Sequence, residues 1–410
     1  MKRRTFCLKA IRAASIFPLI SSCSPGNSLP DSNYLVGTPY TREVYLNQML
    51  EQLCGNLEPR PTGSPACERA ALIIRDEMAK ALPTVELDTF SFDYWSLKGE
   101  PEFMVGKTKL EAYPMIETAG TPPEGISGIL IKNDKSGNNY GLADSSTGQI
   151  LGYVNIAFRD KAVPLYTYNE ENKRLPSITV GINDGPRLET AVRDKTPVRM
   201  NFQVEVIPNS QTSNVVGTIP GESADELLFL AHHDTVYSTP GANDNTASLI
   251  CMLMLAHGVS GTRPNKTLTF VSTTGEECGY LGANHYAEKI KQAGTFNNLK
   301  YVFNLDSISW GPNLWIWTDN ERVKTLIVES DEAQEIPGTP EFRDSPGFVD
   351  DSGPFKDSGA TGIYMNSRGY NIDDSIWHRP EDTPDKVHFE SVNICYRVFH
   401  EFIQRLLQSV

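Results

Sequence analysis

Two histidines and five acidic residues in this chain stand just past short apolar runs. His232 and Asp234 follow Leu227-Leu228-Phe229-Leu230-Ala231, and Asp244 lies on the next loop, Pro240-Gly241-Ala242-Asn243-Asp244-Asn245. Glu276 and Glu277 come after Thr267 to Ser272, and Asp306 ends Tyr301 to Leu305. His378 stands in Trp377-His378-Arg379-Pro380, after Thr361 to Met365. Imidazole nitrogens mixed with carboxylates suit zinc, whereas magnesium and calcium favour all-oxygen shells. One acidic pair is usually a solvated turn, and one strand-end histidine is usually only hydrogen-bonded. Five such pieces at corresponding strand ends are a much more specific signal, and metal held among them would activate water.

The elements that must carry these groups are legible nearby. Leu227 to Ala231 and Thr267 to Ser272 are continuous apolar runs of strand length, as in strands buried on both faces of a parallel sheet. Helices are predicted over Ala247 to Ala256, about Leu281 to Lys291, and about Ser391 to Leu407, the last with Val392, Cys395, Tyr396, Phe399, Phe402 and Leu406 inward. Strands alternating with helices predict an α/β domain whose largely parallel sheet is covered on both sides. Ligands bind beyond the carboxyl ends of such strands, where the candidate residues fall. Upstream, Thr41 caps a helix with Val44, Tyr45, Met49 and Leu53 at helical spacing, and Ser64-Pro65 starts a second helix to about Leu82. Val85, Leu87 and Thr89 alternate as in a strand, and so do Phe202, Val204 and Val206; Asn214 to Thr218 reads as a separate strand. Between about Tyr94 and Pro208 helical periodicity vanishes, and turn residues punctuate short runs such as Ile126 to Ile131 and Ile150 to Ile156. The expected division is an α/β domain over 41–95 and 209–410, with a β-rich insertion over 96–208.

Taken in order, these motifs resemble metallopeptidase family 28, the co-catalytic di-zinc aminopeptidases and their relatives. Ala231-His232-His233-Asp234 is similar to the A-H-x-D motif, and Gly241 to Asn245 to G-x-x-D-N. Glu276-Glu277-Cys278-Gly279-Tyr280-Leu281-Gly282-Ala283 is similar to E-E-x-G-x-x-G-[SA], and Asn304-Leu305-Asp306 and His378 to Asp385 match the remaining two motifs. The resemblance implies a three-layer α/β/α zinc-exopeptidase fold with a mixed, largely parallel sheet, and an insertion like the protease-associated domain. It implies that His232 and Asp306 bind one zinc, Glu277 and His378 a second, and Asp244 both. Asp234 would orient His232, and Glu276 would act as general base. Asp382 or Asp385 would support His378. One departure stands out: Asp350-Asp351-Ser352-Gly353-Pro354-Phe355 matches S-D-H-x-P-F with Asp350 in the serine's place and Ser352 in the histidine's. His233, His257, His285, His388 and His400 have no partner motif and read as structural or exposed.

The expected activity is release of amino-terminal residues from short peptides. Rivals on the same scaffold are a metal carboxypeptidase or dipeptidase, and a glutaminyl cyclase with one zinc, which Trp377-His378 resembles. A non-catalytic binding lipoprotein is disfavoured because every ligand and the base are present.

The chain carries a formal charge of −14, and the first 22 residues hold five basic and no acidic side chains, leaving about −19 on the rest. Such an acidic surface argues against nucleic acid as a partner and against a polybasic membrane face. Lys2, Arg3, Arg4, Lys9 and Arg12 precede the apolar stretch Ala13 to Ile20, so 1–22 reads as a targeting segment. Ile20-Ser21-Ser22-Cys23 resembles the lipobox of bacterial lipoproteins, and Arg3-Arg4-Thr5-Phe6 faintly a twin-arginine signal. A periplasm-facing protein held by lipid on Cys23, with 23–40 as tether, is expected; a plain secretory signal is the alternative. Cys54 and Cys67 are spaced closely enough to pair in an oxidising compartment, while Cys251 and Cys278 read as free thiols.

Overall fold

The computed structural model describes residues 33–133, 139–338, 340–343, 350–370 and 376–408. The targeting segment, Cys23 and the tether up to residue 32 lie outside the described residues. The strand Glu226–His232 is central because Leu227 to Ala231 offers water nothing on either face. It pairs in parallel with Thr267–Thr273 on one side and Leu299–Leu305 on the other. Leu299–Leu305 pairs in parallel with Thr361–Arg368. Antiparallel neighbours flank this centre: Pro197–Ile219 beside Thr267–Thr273, and Asn313–Trp317 beside Thr361–Arg368.

Alternation along the central strand sorts its side chains between two layers. Leu227, Phe229 and Ala231 pack into a core under the helices Arg42–Cys54, Pro65–Ala81, Ala247–Gly258 and Phe389–Gln408. Leu228 and Leu230 face Ala283, Tyr286, Ala287 and Ile290 of the helix Leu281–Gln292. Phe229 stacks between Phe270 and Phe303 at 5.0 and 4.9 Å, each such pair adding about 1 kcal/mol to what burial alone contributes. Thr41 and Ser64 accept from the amides of Val44 and Cys67 at 3.3 and 3.1 Å, capping the first two helices as their residue types predict. The architecture is three-layered around a mixed sheet.

Two strands extend that sheet outward. Thr84–Val105 and Pro197–Ile219 pair antiparallel from Thr84 opposite Thr218 to Val105 opposite Val198. The separate strands expected at Val85 to Thr89, Asn201 to Ile207 and Asn214 to Thr218 are therefore parts of one continuous ribbon. Its middle hides the continuity: residues 205 to 209 are all exposed, and Pro208-Asn209-Ser210 reads locally as a turn between two strands. At its far end Phe103, Val154, Ile178, Val198, Met200 and Phe202 form a separate core. Helix Gly185–Asp194 packs there, correcting the expectation that 94–208 holds none; its inner face has only Leu188 and Ala191, too few for a visible period. From Tyr34 onward the described residues form one compact unit.

Cys54 and Cys67 are not paired: both are buried free thiols, and Cys67 Sγ lies 3.6 Å from Thr274 Oγ1.

Candidate metal centre

Each candidate residue leaves the sheet at its carboxyl edge. His232 ends the central strand, and its Nδ1 lies 3.1 Å from the Asp234 carbonyl and 3.6 Å from the Asp234 carboxylate. A proton held there leaves Nε2 as the free electron pair, the form a metal requires. Nε2 lies 3.3 Å from Asp244 Oδ1 and 3.9 Å from Glu276 Oε2. Across the pocket His378 Nε2 lies 3.1 Å from Glu277 Oε2 and 3.6 Å from Asp244 Oδ2. One oxygen of Asp244 thus faces each imidazole. Ligand atoms of His232, Glu276 and Asp306 fall within 4.8 Å of one another, and so do those of Asp244, Glu277 and His378. His233 turns away, bonding Ser272 Oγ through Nδ1 at 2.9 Å, and burial lowers its pKa to about 4.

Buried hydrogen bonds fix the loop that carries Asp244. The Asp382 carboxylate accepts from Asn243 N, Asn243 Nδ2 and Asp244 N at 2.9, 2.7 and 3.1 Å. Asn245 Nδ2 donates to Leu305 O at 2.9 Å, and its Oδ1 accepts from Ser307 N at 3.1 Å, tying the loop to the end of Asp306's strand. Gly241 opens the loop at φ +63°, where a Cβ would meet Thr235 Cγ2 at 2.3 Å and Asp244 O at 2.4 Å. The Asp244–Asn245 peptide is cis.

The Glu276-Glu277 turn hangs from Asp234, whose carboxylate accepts both of their amides at 3.2 and 3.3 Å and Thr62 Oγ1 at 2.9 Å. Asp234 therefore steadies two of the chemical elements at once.

One expectation is corrected. Neither Asp382 nor Asp385 supports His378: Asp382 serves the Asp244 loop, and Asp385 sits at the surface with Thr383 and Lys386. His378 Nδ1 bonds instead to Pro164 O at 2.9 Å. At the departure noted above, Asp350 accepts from Ser352 N and Oγ at 2.7 and 2.5 Å, and Asp351 from Thr273 Oγ1 at 2.5 Å.

Electrostatically the pocket is crowded with acid. Burial raises Glu276 well above the usual carboxylate range and lifts Asp306 to about 7, with the Asp244 charge adding to the latter. Burial raises Glu277 and takes Asp351 to about 7. Asp244 is lowered because its contacts with His232 and His378 outweigh its own burial. His232 Nε2 and Glu277 Oε1 are buried with no hydrogen-bond partner. Buried polar atoms without partners are costly, and metal cations would both supply the partner and offset the carboxylate repulsion. The donor set fits zinc.

A cavity of about 520 Å³ opens over these groups, walled by Tyr168, Tyr280, Trp310, Tyr364 and Trp377. Phe158, Arg159 and Tyr166, from the stretch 96–208, also line it. No sequence signal points to them, since nothing local marks a loop that will meet a strand end some two hundred residues later.

Residues 214–403 match the model described as Peptidase family M28. The chain is 24% identical over 367 residues to aminopeptidase YwaD of Bacillus subtilis (strain 168), covering 82% of this chain and 79% of that protein. It is 27% identical over 195 residues to a probable leucine aminopeptidase 2 of Trichophyton verrucosum, covering 47% of this chain and 39% of that protein. The solved structure of BSAP, a zinc aminopeptidase from Bacillus subtilis, shares the fold with a TM-score of 0.70 at 19% identity, over 91% of this chain and 96% of that one.

Proposed function

We propose, from the premise that this chain belongs to peptidase family M28 and is a hydrolase acting on peptide bonds, that it is a two-zinc aminopeptidase of short peptides. The position of Asp244 carries this reading, because a carboxylate offering one oxygen to each imidazole is placed to be shared by two ions. His232 and Asp306 would hold one zinc, Glu277 and His378 the other. Zinc bound there acidifies water and polarises the scissile carbonyl. Glu276 is the base: its side chain is 17% exposed against 7% for Glu277, which lies against His378. Its carboxylate takes a proton from the attacking water and returns it to the leaving amine. The acidic floor attracts the cationic amino terminus, and the aromatic walls bound the space beside it. The similarity to zinc aminopeptidases supports the same direction of attack. We place the protein at the cell envelope, held by lipid on Cys23.

The test is release of the amino-terminal residue from a free tripeptide beside its N-acetylated form. Cleavage of the free peptide alone is expected; removal of the carboxyl-terminal residue from both would show a carboxypeptidase. Trp377 stacks on His378 with ring centroids 3.5 Å apart, which favours a second reading, cyclisation of amino-terminal glutamine. Cyclised product with one bound zinc would establish that instead.

A further inference from the structure

A metal-binding imidazole is set by what its other nitrogen touches, because that contact selects the tautomer and stops the ring from turning. For His232 the contact is local, two residues along the chain. For His378 it comes from Pro164, 214 positions away in the inserted region. His378 itself sits in the left-handed region at φ +58°, a conformation non-glycine residues rarely adopt, so its turn must be held from outside. Ser238 Oγ holds its carbonyl at 2.9 Å, but the ring is held by the insertion.

The supporting segment is itself built in. Arg379, next to His378 and 6% exposed, donates through Nη1 to Ala162 O at 2.8 Å. Its other arm reaches Glu111 at 3.0 Å, also on the insertion. Ala162 and Val163 are buried, and Thr179 Oγ1 donates to Val163 O from inside the inserted core. Phe158 packs on Trp377 with ring centroids 5.2 Å apart.

We infer that Ala162–Pro164 is a positioning element for His378, locked in place by Arg379, so that the insertion sets the metal affinity of one cluster and not the other. This rests on the two-zinc reading. Pro164 and Arg379 touch neither substrate nor metal in this scheme; they act through the imidazole.

The experiment is a stepwise zinc titration of the metal-free full chain against a chelating indicator, for wild type, Arg379→Ala and Thr179→Val. Loss of an outer contact to a metal-binding histidine commonly costs 10–100-fold in affinity, so Arg379→Ala should raise one dissociation constant by about that factor and leave the other within about twofold. Thr179→Val, nearly isosteric and remote from the metals, should shift the same constant less. A merely structural role would weaken both sites together or neither, and either result in both variants overturns the positioning role. A wild type that takes up fewer than two zinc ions would overturn the two-metal reading and this inference with it. Two ions in the wild type with unsplit constants in the variants would overturn the inference alone.

Discussion

Asp244 presents Oδ1 to His232 Nε2 at 3.3 Å and Oδ2 to His378 Nε2 at 3.6 Å, so one buried carboxylate spans both halves of the site. If it is shared by two ions, Asp244→Asn should weaken both. Since outer-shell changes alone cost 10–100-fold in metal affinity or activity, loss of a shared ligand should cost more than about 100-fold in turnover. Zinc analysis of the purified variant checks this; retention of both ions with near-normal turnover would show that Asp244 is not shared.

Removing metal should destabilise the fold. Without cations, the carboxylates of Asp244, Glu277 and Asp306 share one buried space, and His232 Nε2 and Glu277 Oε1 lack partners. Zinc at a thousand times its dissociation constant adds about 4 kcal/mol per site, so melting should rise by several degrees on zinc addition and fall back with EDTA. An unchanged melting temperature would count against a metal centre at these residues.

Glu77 gives a pH dependence remote from the site. Burial opposes its ionisation, but hydrogen bonds from His257 and Lys80, with the Lys80 charge, outweigh it and bring its pKa from 4.5 to about 2. A carboxylate lowered in the folded state contributes stability that is present above about pH 4.5 and lost as pH falls towards 2. Because Lys80 is 64% exposed and solvent screens it, Glu77→Gln should cost about 2 kcal/mol at pH 7. Chemical denaturation of both forms should show that gap closing between about pH 4.5 and 2; a pH-independent gap would refute the assignment.

Lipid anchoring through Cys23 predicts that Cys23→Ala releases the protein from the membrane fraction with its catalytic constants unchanged. Recovery of both forms in the soluble fraction would leave the plain secretory signal.

The sequence exposes the ligands because their signal is local: an apolar strand stops at His232, at Asp306 or before Glu276, and the change from buried to polar falls within a few residues. The central strands and the helices that cover them follow from the same contrast. Contacts between distant segments leave no such mark. Asp382, close to His378 in sequence, serves the Asp244 loop instead, while His378 finds Pro164. The continuity of the ribbon Thr84–Val105 with Pro197–Ile219 is hidden because its middle is exposed and Pro208-Asn209-Ser210 reads locally as a turn, so one long strand looks like two.

The division of labour between Glu277 as ligand and Glu276 as base is tested most directly by counting zinc in the wild type and in Glu276→Gln. Two ions per chain in both forms are expected, with the variant's turnover lowered by about 10²–10⁴-fold. Fewer than two in the wild type, or an ion lost on substituting Glu276, would contradict it.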